Sequence, residues 1–312
     1  MQEISIGSML KNKRIELGYT QEKLSEGICD TVTLSRIENG RQIPSKRLIS
    51  ALMQRLGMPD DRIFAFVSEN EIEIEELQKE IISLNVKYSR TSEDEADLIK
   101  KKLLEKIDIL KKKTDDDDNL IRQFIMRIEF GLNKEKSIDD QIAGIIENIK
   151  ITNHKFSIDN IVNGLYMFEE VKLINLLAGF YNIKGEKVKA VEIMSQLYQY
   201  VKKHFGEVPE RAHFPLVALN YSKALENIGQ FSESLKIAEE GRRVCIDYGL
   251  YENVGGLIEE IAKDDYSTGD VSECESMLYQ AYYLHKLTDN NRGIERVKKL
   301  MQEYGIDTCA LH

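Results

Sequence analysis

The chain has 312 residues, 42% of them hydrophobic, with four prolines, no tryptophan and a formal net charge of -10. That is enough apolar material for packed cores, which excludes a disordered polymer. No apolar run approaches the ~18 residues of a membrane span, and the opening MQEISIGSML lacks the basic-then-apolar pattern of a signal peptide, so a cytoplasmic protein with no membrane partner is expected.

Cys29, Cys245, Cys274 and Cys309 are widely spaced with no CxxC, the pattern of ordinary core or surface thiols rather than a disulfide framework. The five histidines show neither HExxH nor a Cys/His cluster, and there is no P-loop or GxSxG elbow. No enzyme, metal or cofactor is expected. Long stretches without a helix breaker predict an all-α fold. The charge is uneven: residues 1–66 hold ten basic and eight acidic residues, against 33 and 45 in the remainder. The first part can therefore show phosphate a local positive face inside an acidic chain.

In residues 1–67 the apolar spacing predicts a small helical domain. Ile6, Met9, Leu10 and Leu17 line a first helix that stops at Gly18. Thr20 offers an N-cap for a second helix with Leu24 and Ile28 inward. Asp30 can cap a third helix, Thr31 to Asn39, with Leu34 and Ile37 inward and Gly40 after its end. Pro44 and Ser45 open a fourth, carrying Leu48, Leu52 and Leu56, and Ile63, Phe64 and Phe66 complete the core of a five-helix bundle. Two short helices joined by a tight turn form a helix-turn-helix, whose second helix enters the major groove. With Leu34 and Ile37 inward, Val32, Ser35, Arg36 and Asn39 face outward, flanked by Thr31 and Thr33. Arg can bridge guanine O6 and N7, and Thr or Val methyls can meet the thymine methyl. Gln21, Ser45, Lys46 and Arg47 sit at helix N-termini, where phosphates bind.

Residues 68–113 read as a linker helix and first helical hairpin, with Ile72, Leu77, Ile81 and Leu84 on one helix and Ala96, Ile99, Leu103, Ile107 and Leu110 on the other. In KKKTDDDDN, Lys111–Lys113 close a helix and Asp115–Asp118 precede the next, the favourable sense for both dipoles rather than a metal site. Residues 114–312 carry a repeat. The segments 174–197, 218–241 and 257–280 each place a small residue mid-helix (Ala178, Ser222, Ala262), a turn glycine seven later (Gly185, Gly229, Gly269) and a second small residue five after that (Ala190, Ser234, Cys274). Pairs at about 119–149 and near 156–170 fill the array, and 290–304 caps it. Stacked helix pairs make a superhelix with a concave inner face. Asn175, Asn182, Asn220, Lys223, Glu226, Tyr251 and Glu259 lie at or near its inner stripe.

The segment TQEKLSEGICDTVTLSRIENG, with IPS before helix 4, resembles the helix-turn-helix of the Cro/repressor-like (XRE) family. That resemblance implies dimeric binding to a double-stranded operator and a structural pair between Glu38 and Arg14. The repeats resemble tetratricopeptide repeats, here at a looser period, and so imply a right-handed superhelix. Together they resemble the peptide-responsive regulators of the Rgg, NprR, PlcR and PrgX group, nearest the PlcR type. What that implies is a homodimeric quorum-sensing transcription regulator whose grip on DNA is set by a short signalling peptide in the repeat groove, with Asn175 and Asn220 holding the peptide backbone. The acidic repeats lean towards a basic or neutral peptide. Two other readings share the fold: a repressor whose repeats bind a protein or only dimerise, and a Rap-like interaction protein, against which the outward face of helix 3 argues.

Overall fold

The computed structural model describes residues 6–58, 69–91, 93–115, 117–132, 137–205 and 213–308. Among them every regular element is helical. The first four are α1 (Ile6–Glu16), α2 (Gln21–Ser25), α3 (Thr31–Glu38) and α4 (Lys46–Arg55), and α2, α3 and α4 begin where side chains satisfy free N–H groups of the first turn. Thr20 Oγ1 accepts from Lys23 N (3.1 Å), Asp30 Oδ1 from Thr33 N (2.6 Å) and Ser45 Oγ from Leu48 N (3.2 Å). Leu10, Leu24, Leu34, Ile37, Ile49, Leu52 and Leu56 form their common core. Ile63, Phe64 and Phe66, expected to complete it with a fifth helix, lie outside the described residues.

Helices α5 (Glu69–Arg90) and α6 (Glu93–Lys113) form a hairpin, and α7 (Asn119–Leu132) joins it. Ile74, Ile81, Leu103, Ile107 and Leu110 pack with Ile121, Phe124, Ile125 and Ile128 in one cluster. The aspartate run ends in a cap, since Asp118 Oδ1 accepts from Ile121 N at 3.1 Å. After α8 (Ile138–Lys150) the chain departs from expectation. No α-helix pair forms near 156–170; Ile158–Asn163 is two short 3-10 turns that meet at a kink at Asn160 (φ -141, ψ 47). Asn153 Nδ2 donates to Leu165 O (3.2 Å) and Tyr200 Oη accepts from Tyr166 N (2.9 Å), so side chains take the backbone groups a helix would have used.

Then come the helix pairs: α9 (Phe168–Lys184) with α10 (Lys187–His204), α11 (His213–Glu226) with α12 (Phe231–Tyr248), and α13 (Val254–Thr268) with α14 (Val271–Leu287), closed by α15 (Asn291–Glu303). Gly185, Gly229 and Gly269 turn each pair at φ of 92°, 79° and 93°, a region other residues avoid. Ala178, Ala190, Ser222, Ser234, Ala262 and Cys274 are all buried where paired helices meet, and Ser234 Oγ donates to Ser222 O (3.0 Å). A single apolar core runs from Ile142 to Ile306. Across the array, α5 acts as a chord. Its start is tied to α4 by Lys46–Glu75 (2.8 Å), and its end meets α15, where Arg292 lies over the Tyr88 ring (5.7 Å).

The helix-turn-helix is welded to the repeats through Arg55. This side chain is 1% exposed. Its Nη1 donates to Leu24 O (3.0 Å) and Glu26 O (2.5 Å), closing α2, and its Nη2 donates to Thr152 O (2.6 Å) and lies 3.5 Å from Glu170 Oε1. Glu170, fully buried in the first turn of α9, also accepts from Met167 N (2.6 Å) and Thr152 Oγ1 (2.7 Å). Gly27, at φ 69°, presses against the Thr152 backbone, where any Cβ would collide. Gln54 Oε1 accepts from Phe168 N at 3.1 Å, and His204 Nε2 stands 3.0 Å from Arg55 O. Removing one partner of a buried ion pair strands the other, at about 3–5 kcal/mol. Arg55→Ala is therefore expected to lower the free energy of unfolding by that order in a urea titration, with Glu170→Gln in the same background recovering part of the loss. Equal stability of Arg55→Ala and the parent chain would show that the joint carries no load.

Candidate DNA-reading face and ligand groove

The outward face of α3 is set by what lies behind it. Glu38, 3% exposed, accepts from Arg14 Nε (2.6 Å) and Nη2 (2.8 Å) and from Gln21 Nε2 (2.8 Å), while Arg14 Nη1 donates to Tyr19 O (2.8 Å). This network fastens α1, α2 and α3 at one point, and it commits the Gln21 amide nitrogen inward. Burial pushes the Glu38 carboxyl up, but the Arg14 and Gln21 hydrogen bonds outweigh it and hold it below the usual range. At the other end of α3, Asp30 takes both the backbone N–H and the hydroxyl of Thr33 (Oγ1–Oδ2 2.9 Å), so Thr33 offers its methyl outward rather than its proton. Val32 is 57% exposed and Arg36 is exposed with no ion pair among the described residues; Thr31 and Ser35 are half-buried beside them. Thr31, Val32, Ser35 and Arg36 thus share one uncommitted face.

The α4 candidates behave differently. Ser45 is the cap of its helix. Lys46 pairs with Glu75 of α5 (2.8 Å), and Arg47 pairs with Asp118 just before α7 (2.8 Å). Both cations expected on phosphate are neutralised from within the chain. Among the described residues exposed Arg41, just after α3, has no such partner; no helix N-terminus marks it in the sequence.

On the inner side of the array, consecutive first helices are joined rung by rung. Arg127 of α7 pairs with Glu169 of α9. Asn220 Nδ2 of α11 donates to Asn175 Oδ1 of α9 (3.1 Å), and Asn227 Nδ2 donates to Asn182 Oδ1 (3.2 Å). Lys263 of α13 donates to Glu226 Oε2 (2.9 Å), and Arg296 of α15 grips Glu259 with both Nε and Nη2 (3.0 Å each). The structure thus brings Asn175, Asn182, Asn220, Lys223 and Glu226 onto one stripe. Asn227 belongs with them, and a signal for it existed, since it stands 45 residues after Asn182 as Asn220 does after Asn175. Two candidates sit elsewhere. Tyr251 is 68% exposed in the loop before α13, not on a first helix. Glu259 is 4% exposed and also holds His285 Nε2 (2.5 Å), so it anchors α14 and α15 rather than facing a ligand.

Residues 10–63 match the helix-turn-helix family model HTH_3. No curated protein matches the chain by sequence. Among solved structures, Bacillus thuringiensis PlcR in complex with the peptide PapR7 and DNA is similar at 19% identity and a TM-score of 0.60, over 94% of this chain and 98% of that one. The apo form of the same protein is similar at 16% identity and a TM-score of 0.55, with the same coverage. ComR from S. thermophilus, in complex with DNA and its signalling peptide, is similar at 14% identity and a TM-score of 0.45, over 97% of this chain and 100% of that one. The fold is therefore that of PlcR: an XRE-type helix-turn-helix followed by tetratricopeptide-like pairs. Among the described residues no helix is long and apolar enough to cross a membrane.

Beneath the groove, α13 buries an acid without a donor. Asp264 is fully buried, and the Ser234 hydroxyl against it gives its proton to Ser222 O. Burial pushes the Asp264 carboxyl up to about 7, with Glu260 and Glu226 adding to the rise and Lys263 opposing it. The folded chain then holds a proton that the unfolded chain releases near 3.8, so stability falls as pH rises from about 4 to about 7. Asp264→Asn is expected to raise Tm at pH 8 and to leave it nearly unchanged at pH 4, read by thermal unfolding at both. An equal shift at the two pH values would contradict this.

Proposed function

We propose that the chain is a sequence-specific DNA-binding transcription regulator, acting as a cytoplasmic homodimer and controlled by a short signalling peptide held along the inner stripe of the repeats. The observation that carries the reading is the pairing of two surfaces on one fold: an uncommitted α3 face of Thr31, Val32, Ser35 and Arg36, and a groove of half-buried asparagines. PlcR, whose fold this is, is described in complex with both DNA and a peptide. A single α3 reads one half-site, and two half-sites need two copies related by a two-fold axis. Gln21, Ser45, Lys46 and Arg47 are the flanking phosphate contacts in this reading, Lys46 and Arg47 after exchange of their internal partners. The side-chain amides of Asn175, Asn182 and Asn220 can exchange their mutual hydrogen bonds for those of an extended peptide backbone, which alternates donors and acceptors.

Each good bidentate base contact carries about 1–3 kcal/mol of discrimination. On an operator selected from random duplexes, Arg36→Ala is expected to weaken specific binding by that amount while unfolding at the parent denaturant midpoint; an unchanged footprint would remove α3 from the major groove. Titration calorimetry with synthetic peptides matching the C-terminal ends of small secreted reading frames near the gene tests the ligand. Micromolar or tighter binding that Asn220→Ala weakens, with ligand-free operator binding retained, supports the groove. Heat from none of them, with a protein captured instead by the repeats, would favour a repressor governed by a protein partner.

A further inference from the structure

Along the inner stripe, Leu216, Asn220 and Lys223 of α11 and Asn227 just past its end are half-buried. Asn220 and Asn227 are tied to α9, so the space between those rungs is walled by what lies between Asn175 and Asn182. That position is Gly179, which is exposed and where an added Cβ would meet nothing within 4 Å. Lys223 thus stands at an opening in the asparagine ladder.

The acids of this stripe are all engaged. Glu169 has Arg127 and Lys172, Glu226 and Glu260 share Lys263 (2.9 and 2.8 Å), and Glu259 has Arg296. The Lys223 side chain has no hydrogen bond or ion pair among the described residues. Glu260 is near enough to feel its charge, but Glu260 is 3% exposed and turned to Lys263. A ligand carboxylate reaching this ammonium would give it a charge-assisted hydrogen bond that no carboxylate among the described residues supplies.

We infer that Lys223 is the subsite for a carboxylate of the groove ligand, an Asp or Glu side chain or a C-terminal carboxylate, so that the ligand class is an acidic extended peptide. This rests on the peptide reading above. It also reverses the expectation drawn from the acidic repeats, because the groove's local charge and not the domain's total is what a ligand meets.

The test is affinity selection of random hexapeptides by the full chain, with retained peptides read by mass spectrometry. Two pools are used, one with free C-termini and one with C-terminal amides. Retained peptides are expected to be enriched about tenfold in acidic members, the worth of one charged hydrogen bond. Enrichment of Asp or Glu in both pools assigns the subsite to a side chain; about tenfold better retention of the free-acid pool than of the amide pool, with no Asp or Glu enrichment, assigns it to the terminus. Lys223→Met should abolish the enrichment and Lys223→Arg should keep it, both unfolding at the parent midpoint. Equal retention of the two pools with no Asp or Glu enrichment, or a preference that survives Lys223→Met, overturns the subsite and leaves the peptide reading standing. Retention of no peptide at all overturns both.

Discussion

The relation between the helix-turn-helix and the repeats depends on where Arg55 points its guanidinium. A cation this deeply buried is tolerated only if nearly every donor finds an acceptor. The acceptors come from two sides: the carbonyls of Leu24 and Glu26 that end α2, and Thr152 and Glu170 on the repeats. Meeting both at once fixes α4 against the first turn of α9. That turn leads directly to Asn175 and the inner stripe, while α2 leads directly to α3. One side chain therefore places the reading face and the start of the groove in a fixed relation, and α5 repeats the tie on the opposite side by running from α4 to α15.

The same economy of charge explains how an acidic chain can carry a surface for phosphate. The repeats and hairpin do not repel DNA uniformly. Their acids are spent on particular cations, Glu75 on Lys46 and Asp118 on Arg47, which mutes the α4 edge of the reading head, while Arg36 of α3 has no ion pair among the described residues. In the groove, acids are likewise matched, and what protrudes between the rungs is polar or positive. Net charge, at -10, is therefore a poor guide to either surface.

Much of this was legible in the sequence because it is local. Thr20, Asp30 and Ser45 act within one turn of their own backbone, and the small-residue and glycine spacing of the repeats needs only the period to be seen. What stayed hidden is long-range. Arg55 reads as an ordinary basic residue at a helix end, since nothing near it announces Thr152 or Glu170. Lys46 and Arg47 read as free for the same reason. Near 156–170 a helix pair was expected, but the side chains of Asn153, Gln196 and Tyr200 bond the backbone there, and only two short 3-10 turns form, meeting at a kink at Asn160. Glu259 fell on the right helix but one step off its open side, where α14 and α15 close over it. The 45-residue interval that links Asn175 to Asn220 also links Asn182 to Asn227, and applying it twice would have found the second rung.

Whether reading head and groove form one body is the point from which the rest follows, and a distance measurement addresses it directly. Spin labels at Arg41→Cys, beyond α3, and Glu275→Cys, on the outer side of α14, can be placed in a background whose native cysteines are alanine. Double electron–electron resonance then reports their separation in the ligand-free chain. A joint held by Arg55 predicts a single narrow distance that broadens on Arg55→Ala. A broad or multiple distribution in the parent chain would mean that the helix-turn-helix moves independently of the repeats, and the structural link between the two surfaces would fall.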